Sequence, residues 1–292
     1  MNIQEATEIL HTRGFELEEA KGAKTLNKAA KAADDEFYTY YKDVEKEMKN
    51  YNFSGKTVYC CCDNPEWSNV YKYFEDNFDK LGLKGLISSH YILPGDNETY
   101  WTEFKDGERI KHPLAGNGDC TSAECQKLAD MADIIVTNPP FSIFGDIATT
   151  YANKPFIMLC TPLKMVSNRK VRKMYMEKRI RYGYTTASKF YRPDGGEDKH
   201  VYTIWYTNLK VSKNYPGINI VPMDDSFETF DNSDILIATY KAVPDTDELI
   251  GLPVSTLVRV DPNNLPFEIV DINDNLYVNG KQQFSRLVVK LK

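Results

Sequence analysis

The run Asp133-Ile134-Ile135-Val136-Thr137 is a short, almost wholly apolar stretch that stops at Asn138-Pro139-Pro140-Phe141. A strand apolar on both faces needs cover on both faces, which a parallel sheet flanked by helices provides. The tetrapeptide that ends it is stiff and carries defined acceptors. Asn138 offers a side-chain carbonyl oxygen. Pro139 offers a backbone carbonyl with no N–H beside it. Pro140 drives Pro139 into an extended conformation and so fixes where that carbonyl points. Phe141 offers a flat apolar face. Two acceptors and one ring on a rigid backbone suit a planar base with an exocyclic amine, the edge that adenine presents.

The segments around this run alternate in period. Residues 57–62 read as a strand. Residues 67–81 read as an amphipathic helix with Val70, Tyr73, Phe74, Phe78 and Leu81 on one stripe and Gly82 just beyond. Residues 86–93 form a second strand, 122–131 a helix capped by Thr121 or Ser122, and 133–137 the strand described above. A helix at 144–152, a strand at 155–160, a basic helix at 167–178 and strands at 179–185 and 201–207 follow. Such alternation predicts an α/β fold with a doubly wound, mostly parallel sheet. Ligands of such sheets lie beyond the carboxyl ends of the strands, where Asp63, Asp119 and Asn138 fall. The last eighty or so residues hold Pro, Asn and Asp between short apolar runs and predict a loop-rich, partly β subdomain. Residues 1–33 read as an arm on which Lys21, Lys24, Lys28 and Lys31 share a helical face.

The whole chain of 292 residues carries a net charge of -6, which argues against a nucleic-acid partner until charge is taken by segment. From Lys164 to Arg192 ten basic residues face Glu177 alone, a net of +9, whereas 223–275 has twelve acids against Lys241 and Arg259, a net of -10. A basic concentration of that density suits a phosphate backbone better than it suits mere solvation. Lys164, Arg169, Lys170, Arg172 and Lys173 are its candidate contacts. No run of about 18 apolar residues spans a membrane, and the N-terminus has no signal pattern, so a cytoplasmic protein is expected. Of six cysteines, Cys60, Cys61 and Cys62 are adjacent and Cys120, Cys125 and Cys160 scattered. No C-x-x-C pair exists and strand neighbours point to opposite faces, so no metal site is expected and the thiols read as reduced and buried.

Four motifs occur in order: Asp35-Glu36-Phe37-Tyr38-Thr39, Val58-Tyr59-Cys60-Cys61-Cys62-Asp63-Asn64-Pro65, Gly118-Asp119-Cys120 and Asn138-Pro139-Pro140-Phe141. Together they resemble the successive motifs of adenine-N6 DNA methyltransferases, specifically the EcoRI-type modification methylases. The resemblance covers roughly residues 25–210 and extends more loosely into 251–254 and 266–269. It implies a methyltransferase domain at 34–210 and a C-terminal subdomain at 211–292 that contributes to DNA recognition. It implies S-adenosyl-L-methionine as cofactor. Phe37, Tyr38 and Thr39 match the segment closing over its methionine end, Asp63, Asn64 and Pro65 the turn beneath its amino-acid portion, and Asp119 with Cys120 the acid segment at its adenine. Asn138, Pro139, Pro140 and Phe141 match the catalytic loop, to which a flipped-out adenine of duplex DNA would bring its amine. A monomer is the default expectation, and a cognate restriction endonuclease, where the system has one, need not touch it.

Two features depart from the family pattern. No glycine lies between Gly55 and Gly82, so the usual glycine-rich turn after the first strand is absent. The acid expected after the second strand is replaced by His90 and Tyr91, with Asp96 and Glu98 as the nearest substitutes. Two other readings stay open on the residues alone: a methyltransferase acting on an adenine or guanine amine of RNA, and a DNA-binding relative without catalysis. A protein-glutamine methyltransferase fits the basic segment poorly.

Overall fold

The computed structural model describes residues 38–92, 98–191 and 198–292. The expected basic arm, Phe37, Asp96 and Arg192 lie outside the described residues. The chain divides into two compact units. One comprises the described residues up to Thr161 with Gly183–Leu209, the other Pro162–Tyr182 with Lys210–Lys292.

The first unit is built on a nine-stranded mixed sheet. In chain order its strands are β1 (Tyr38–Thr39), β2 (Thr57–Cys60), β3 (Gly85–Ser89), β4 (Tyr100–Lys105), β5 (Glu108–Pro113), β6 (Ile134–Thr137), β7 (Phe156–Cys160), β8 (Arg181–Tyr191) and β9 (Lys199–Thr207). The spatial order is β1-β8-β9-β7-β6-β2-β3-β4-β5. β7, β6, β2 and β3 are parallel to one another. The pairs β1–β8, β7–β9, β3–β4 and β4–β5 are antiparallel. The sheet is thus a parallel centre extended on both sides by antiparallel strands. Every residue of β2, β6 and β7 is buried, as their unbroken apolar runs require of strands covered on both faces. From β2 the chain steps outward to β3, then returns to place β6 and β7 on the other side. The switch point of the sheet therefore lies between β2 and β6.

The helices of this unit are α1 (Tyr41–Met48), α2 (Asn69–Asp76), α3 (Phe78–Leu81), α4 (Ala123–Met131) and α5 (Phe144–Thr150). The continuous helix expected over 67–81 is two helices. Asn77 breaks it by donating its amide to the Tyr73 carbonyl and the Tyr41 hydroxyl, a side-chain competition typical of Asn within helices. Ser68 caps α2 by accepting from Val70 and Tyr71 N–H groups, and Ser122 caps α4 by accepting from Cys125 N–H. α2 packs its buried face, Val70, Tyr71, Tyr73 and Phe74, into a core shared with Phe53, Phe190 and Trp205. Each such side chain contributes roughly 1.5–3 kcal/mol. α1 adds a polar tie: buried Glu47 accepts from the N–H groups of Tyr184 and Thr185, Thr185 Oγ1 and the Tyr51 hydroxyl. The β4–β5 hairpin was not expected. It turns at Asp106-Gly107, both at positive φ, as a two-residue turn between twisted strands demands.

The second unit holds the basic segment as far as Tyr182, with α6 (Lys164–Ser167) and α7 (Arg169–Met176), together with the C-terminal residues. Asn168 separates the two helices and caps α7 by accepting from Lys170 and Val171 N–H groups. Val171, Met174 and Tyr175 form the buried stripe of α7, while Arg169, Lys170 and Lys173 are exposed. The remainder consists of short strands joined by loops. β10 (Ile220–Pro222) pairs with β12 (Val243–Asp245). β11 (Leu236–Ile237), β13 (Ile250–Pro253), β17 (Arg286–Leu291) and β14 (Phe267–Asn273) make a four-stranded sheet, and β15 (Tyr277–Val278) with β16 (Lys281–Gln282) a hairpin. Phe230, Ile235, Leu276 and Val288 pack together there. No helix among the described residues is long and apolar enough to cross a membrane.

Candidate active site

In the first unit a cavity opens beyond the carboxyl ends of β2, β3 and β6, the place the switch-point rule assigns to a ligand. Its wall includes Tyr38, Thr39, Asp63, Asn64, Asp119, Cys120, Asn138, Pro139 and Pro140. Four separate sequence motifs therefore meet in one place. Pro65 is buried outside the lining, and Phe141 is only 7% exposed and sets its edge against Phe190.

Asp63 is the hub of the floor. One carboxylate oxygen accepts from Ser68 Oγ at 2.6 Å, the other from Thr137 Oγ1 at 2.7 Å and from Asn138 N–H at 3.2 Å. Thr137 Oγ1 in turn accepts from Cys62 N–H. The Asp63 carbonyl accepts from Ser88 Oγ. One side chain thus joins the loop after β2, the start of α2 and the first residue of the Asn-Pro-Pro-Phe loop. Burial pushes its carboxyl up to about 7, against the opposing pull of the Ser68, Thr137 and Asn138 hydrogen bonds.

The next wall comes from the loop after β3. Asn64 Nδ2 donates to His90 Nδ1 at 2.7 Å, and the His90 ring packs against Tyr100 and the edge of Trp67. His90 and Tyr91 line the cavity where a ribose-binding acid was missing from the sequence pattern. Exposed Glu98 does not line it, whereas Asp146, in the first turn of α5, does. Over the top, Trp67 Nε1 donates to the Tyr38 hydroxyl, Asn69 Nδ2 to the Thr39 carbonyl and the Tyr191 hydroxyl to the Trp67 carbonyl. These bonds fix β1 across the entry to α2.

Asp119 faces the cavity with one oxygen committed locally: Oδ1 accepts from Thr121 N–H and Oγ1. Oδ2 has no protein partner among the described residues. Gly118 has φ of +76°, and a Cβ there would run into the His90 carbonyl oxygen. Glycine is thus what lets the 117–119 wall lie directly on the His90–Tyr91 backbone.

One expectation is corrected. β2 ends at Cys60, and Cys61 and Cys62 lie in a turn, so strand alternation does not separate them. Cys62 Sγ lies 3.3 Å from Cys120 Sγ and 3.8 Å from Cys61 Sγ, and all three sulfurs lie within 4.8 Å of one another. The approach of Cys62 to Cys120 spans 58 residues of chain, and local spacing rules do not register it.

Several lining residues were not singled out from sequence: Trp67, Ser68, Asn69, Asn117, Ile143 and Asp146. Ser68 falls inside the helix expected over 67–81 and is instead the residue that caps its start. The candidate phosphate contacts Lys164, Arg169, Lys170, Arg172 and Lys173 belong to the second unit.

The family model described as adenine-specific methyltransferase EcoRI matches residues 25–291. The chain is 30% identical to the type II methyltransferase M.EcoRI of Escherichia coli, over 92% of this chain and 97% of that protein. It is 31% identical to the type II methyltransferase M.MpnI of Mycoplasma pneumoniae, over 91% and 97%. The type II methyltransferase M.MgeORF184P of Mycoplasma genitalium is 29% identical over 91% and 98%. No solved structure matches.

Proposed function

Because the chain belongs to the EcoRI family of adenine-specific methyltransferases, we propose that it methylates the N6 amine of a specific adenine in duplex DNA. The meeting of the Asn138–Pro140 loop with the Asp63 and Asp119 walls in a single cavity carries this reading. The donor set suits S-adenosyl-L-methionine. The unpartnered Asp119 Oδ2 is an acceptor for an exocyclic amine, and the close packing of Gly118 on the His90–Tyr91 backbone fixes where Asp119 stands. Tyr38, Thr39 and Asn64 would hold the amino-acid end and Asp119 with Cys120 the adenine end. When bound, the cofactor supplies a methyl group activated by its sulfonium.

The chain's own residues do the rest. The N6 lone pair of adenine is delocalised into the ring and is weakly nucleophilic. The Asn138 side-chain carbonyl and the Pro139 backbone carbonyl accept the two amine hydrogens and draw the nitrogen out of conjugation. The same oxygens stabilise the positive charge that the nitrogen gains, more strongly than they stabilise the ground state. Asp63 holds the Asn138 amide and keeps this loop in register. Since a paired adenine presents no such face, the base is flipped out, at a cost of a few kcal/mol. Phe141 would support its ring. The basic face of α7, with Lys164, Arg169, Lys170, Arg172 and Lys173, binds the phosphate backbone.

The test is label transfer from methyl-labelled S-adenosyl-L-methionine to duplex DNA and to structured RNA, followed by mapping of the modified base. N6-methyladenine at one short duplex sequence is the expected result. Asn138→Ala should lower turnover by about 10²–10³ while keeping cofactor binding. Transfer to RNA only, to neither substrate, or undiminished transfer by Asn138→Ala overturns the reading.

A further inference from the structure

The cysteine trio in the cavity wall has a geometry that methyl transfer does not use. No covalent intermediate is needed there, yet Cys61, Cys62 and Cys120 bring three sulfurs together from two loops 58 residues apart. We propose that these three cysteines form a binding site for one thiophilic divalent cation, with Zn²⁺ as its natural probe.

The distances carry the argument. A tetrahedral Zn²⁺ with Zn–S bonds of about 2.3 Å sets its sulfur ligands about 3.8 Å apart. Cys61 and Cys62 are already at 3.8 Å, Cys62 and Cys120 at 3.3 Å, and the remaining pair is no further than 4.8 Å. Opening the 3.3 Å pair by about 0.5 Å and closing the remaining pair by up to about 1 Å, movements within the reach of side-chain torsions, would equalise the three. The backbone that carries them is held. Ser89 Oγ donates to the Cys61 carbonyl at 3.0 Å, Cys62 N–H donates to Thr137 Oγ1 at 3.1 Å, and the Tyr151 hydroxyl donates to the Cys120 carbonyl. A frame tied at each ligand loses little freedom when an ion binds.

Access comes through the cavity, which all three cysteines line. Binding replaces the thiol protons, up to three of them released to solvent, with bonds from thiolate sulfur to the ion. Three protein sulfurs leave the fourth position of the ion to a water or a cavity ligand. On the functional reading given above, an ion at this position crowds the cofactor cleft, so Zn²⁺ inhibits methyl transfer and a chelator restores it.

The test uses the reduced full-length protein without cofactor, titrated with Co²⁺ under anaerobic conditions. The expected result is a sulfur-to-cobalt charge-transfer band that saturates at one ion per chain and is bleached by Zn²⁺. Cys61→Ser, Cys62→Ser and Cys120→Ser should each weaken binding by at least about tenfold, whereas Cys125→Ser and Cys160→Ser should not. Absence of the band in the wild type overturns the proposal without reference to any variant, as does a band that survives all three substitutions. Zn²⁺ inhibition of label transfer should share the midpoint of cobalt displacement and be lost in Cys62→Ser; inhibition that persists in that variant overturns the link to the cleft. A metal-free enzyme that transfers no methyl group overturns the functional reading instead and leaves the cobalt result intact.

Discussion

Removing the Asp63 carboxylate should loosen the cavity floor by an amount the hydrogen bonds set. Asp63→Ala takes the acceptor from three donors: Ser68 Oγ, Thr137 Oγ1 and Asn138 N–H. Thr137 and Ser68 are 0% and 5% exposed, so solvent reaches them poorly. A buried donor stripped of its partner costs about 1–3 kcal/mol, which puts three at about 3–9 kcal/mol. Relief of the buried charge and water entering from the cavity push the loss toward the lower end, about 3 kcal/mol. Asp63→Asn behaves differently. With its carbonyl oxygen turned toward Thr137 and Asn138, only the Ser68 hydroxyl loses an acceptor, and the cost is about 1 kcal/mol. Trp67, Trp101 and Trp205 are the only tryptophans of the chain, and all belong to the first unit. Urea unfolding followed by tryptophan fluorescence therefore reports on the unit that holds Asp63. Two variants of equal stability would refute the hub argument. Label transfer adds a second arm. If Asp63 acts by positioning Asn138, the Asn variant keeps most of its turnover and the Ala variant loses it. An Asn variant as inactive as the Ala variant would mean that the site needs the charge, not the anchor.

Three further outcomes are open to measurement. Burial raises the Glu47 carboxyl above its usual range, while its hydrogen bonds to Thr185, Tyr184 and Tyr51 oppose the rise. The folded state therefore binds this proton more tightly than the unfolded chain, and its contribution to stability improves as pH falls toward the ordinary glutamate value. Glu47→Gln should be about 1–3 kcal/mol less stable at neutral pH, and its deficit against wild type should widen from about pH 8 to about pH 5; a deficit that narrows on acidification contradicts the sign. Gly118→Ala forces a Cβ against the His90 carbonyl at a positive φ and should cost more than about 2 kcal/mol by the same fluorescence assay. Unchanged stability would mean the 117–119 wall does not rest on His90. Reversing Arg172 and Lys173 to Glu should weaken duplex binding and lower the slope of log affinity against log salt by about 0.9 for each phosphate that is no longer neutralised; an unaltered slope removes α7 from the interface.

The reading of this fold from sequence succeeded where the determining interactions are local. The buried strands β2, β6 and β7 declare themselves because a parallel centre needs runs apolar on both faces. Helix ends at Ser122 and Gly82 follow from side-chain and backbone chemistry within a few residues. The failures differ in kind. Asn77 reads as an ordinary helical residue until its amide is seen to reach Tyr41, 36 residues back. The Asp106-Gly107 turn carried a usable signal, two residues that tolerate positive φ between alternating segments, and the β4–β5 hairpin was open to prediction. The floor of the cavity was not. Asp63 meets Thr137 across 74 residues, and Cys62 meets Cys120 across 58. The first meeting exists because β2 and β6 are neighbours at the point where the strand order reverses, and the second because the segment between β5 and α4 passes the turn after β2; local periodicity encodes neither. Sequence motifs therefore marked which loops matter, while the pairing of strands decided which atoms within those loops touch. Cys61 and Cys62 escape strand alternation because the strand ends at Cys60 and the next two residues turn.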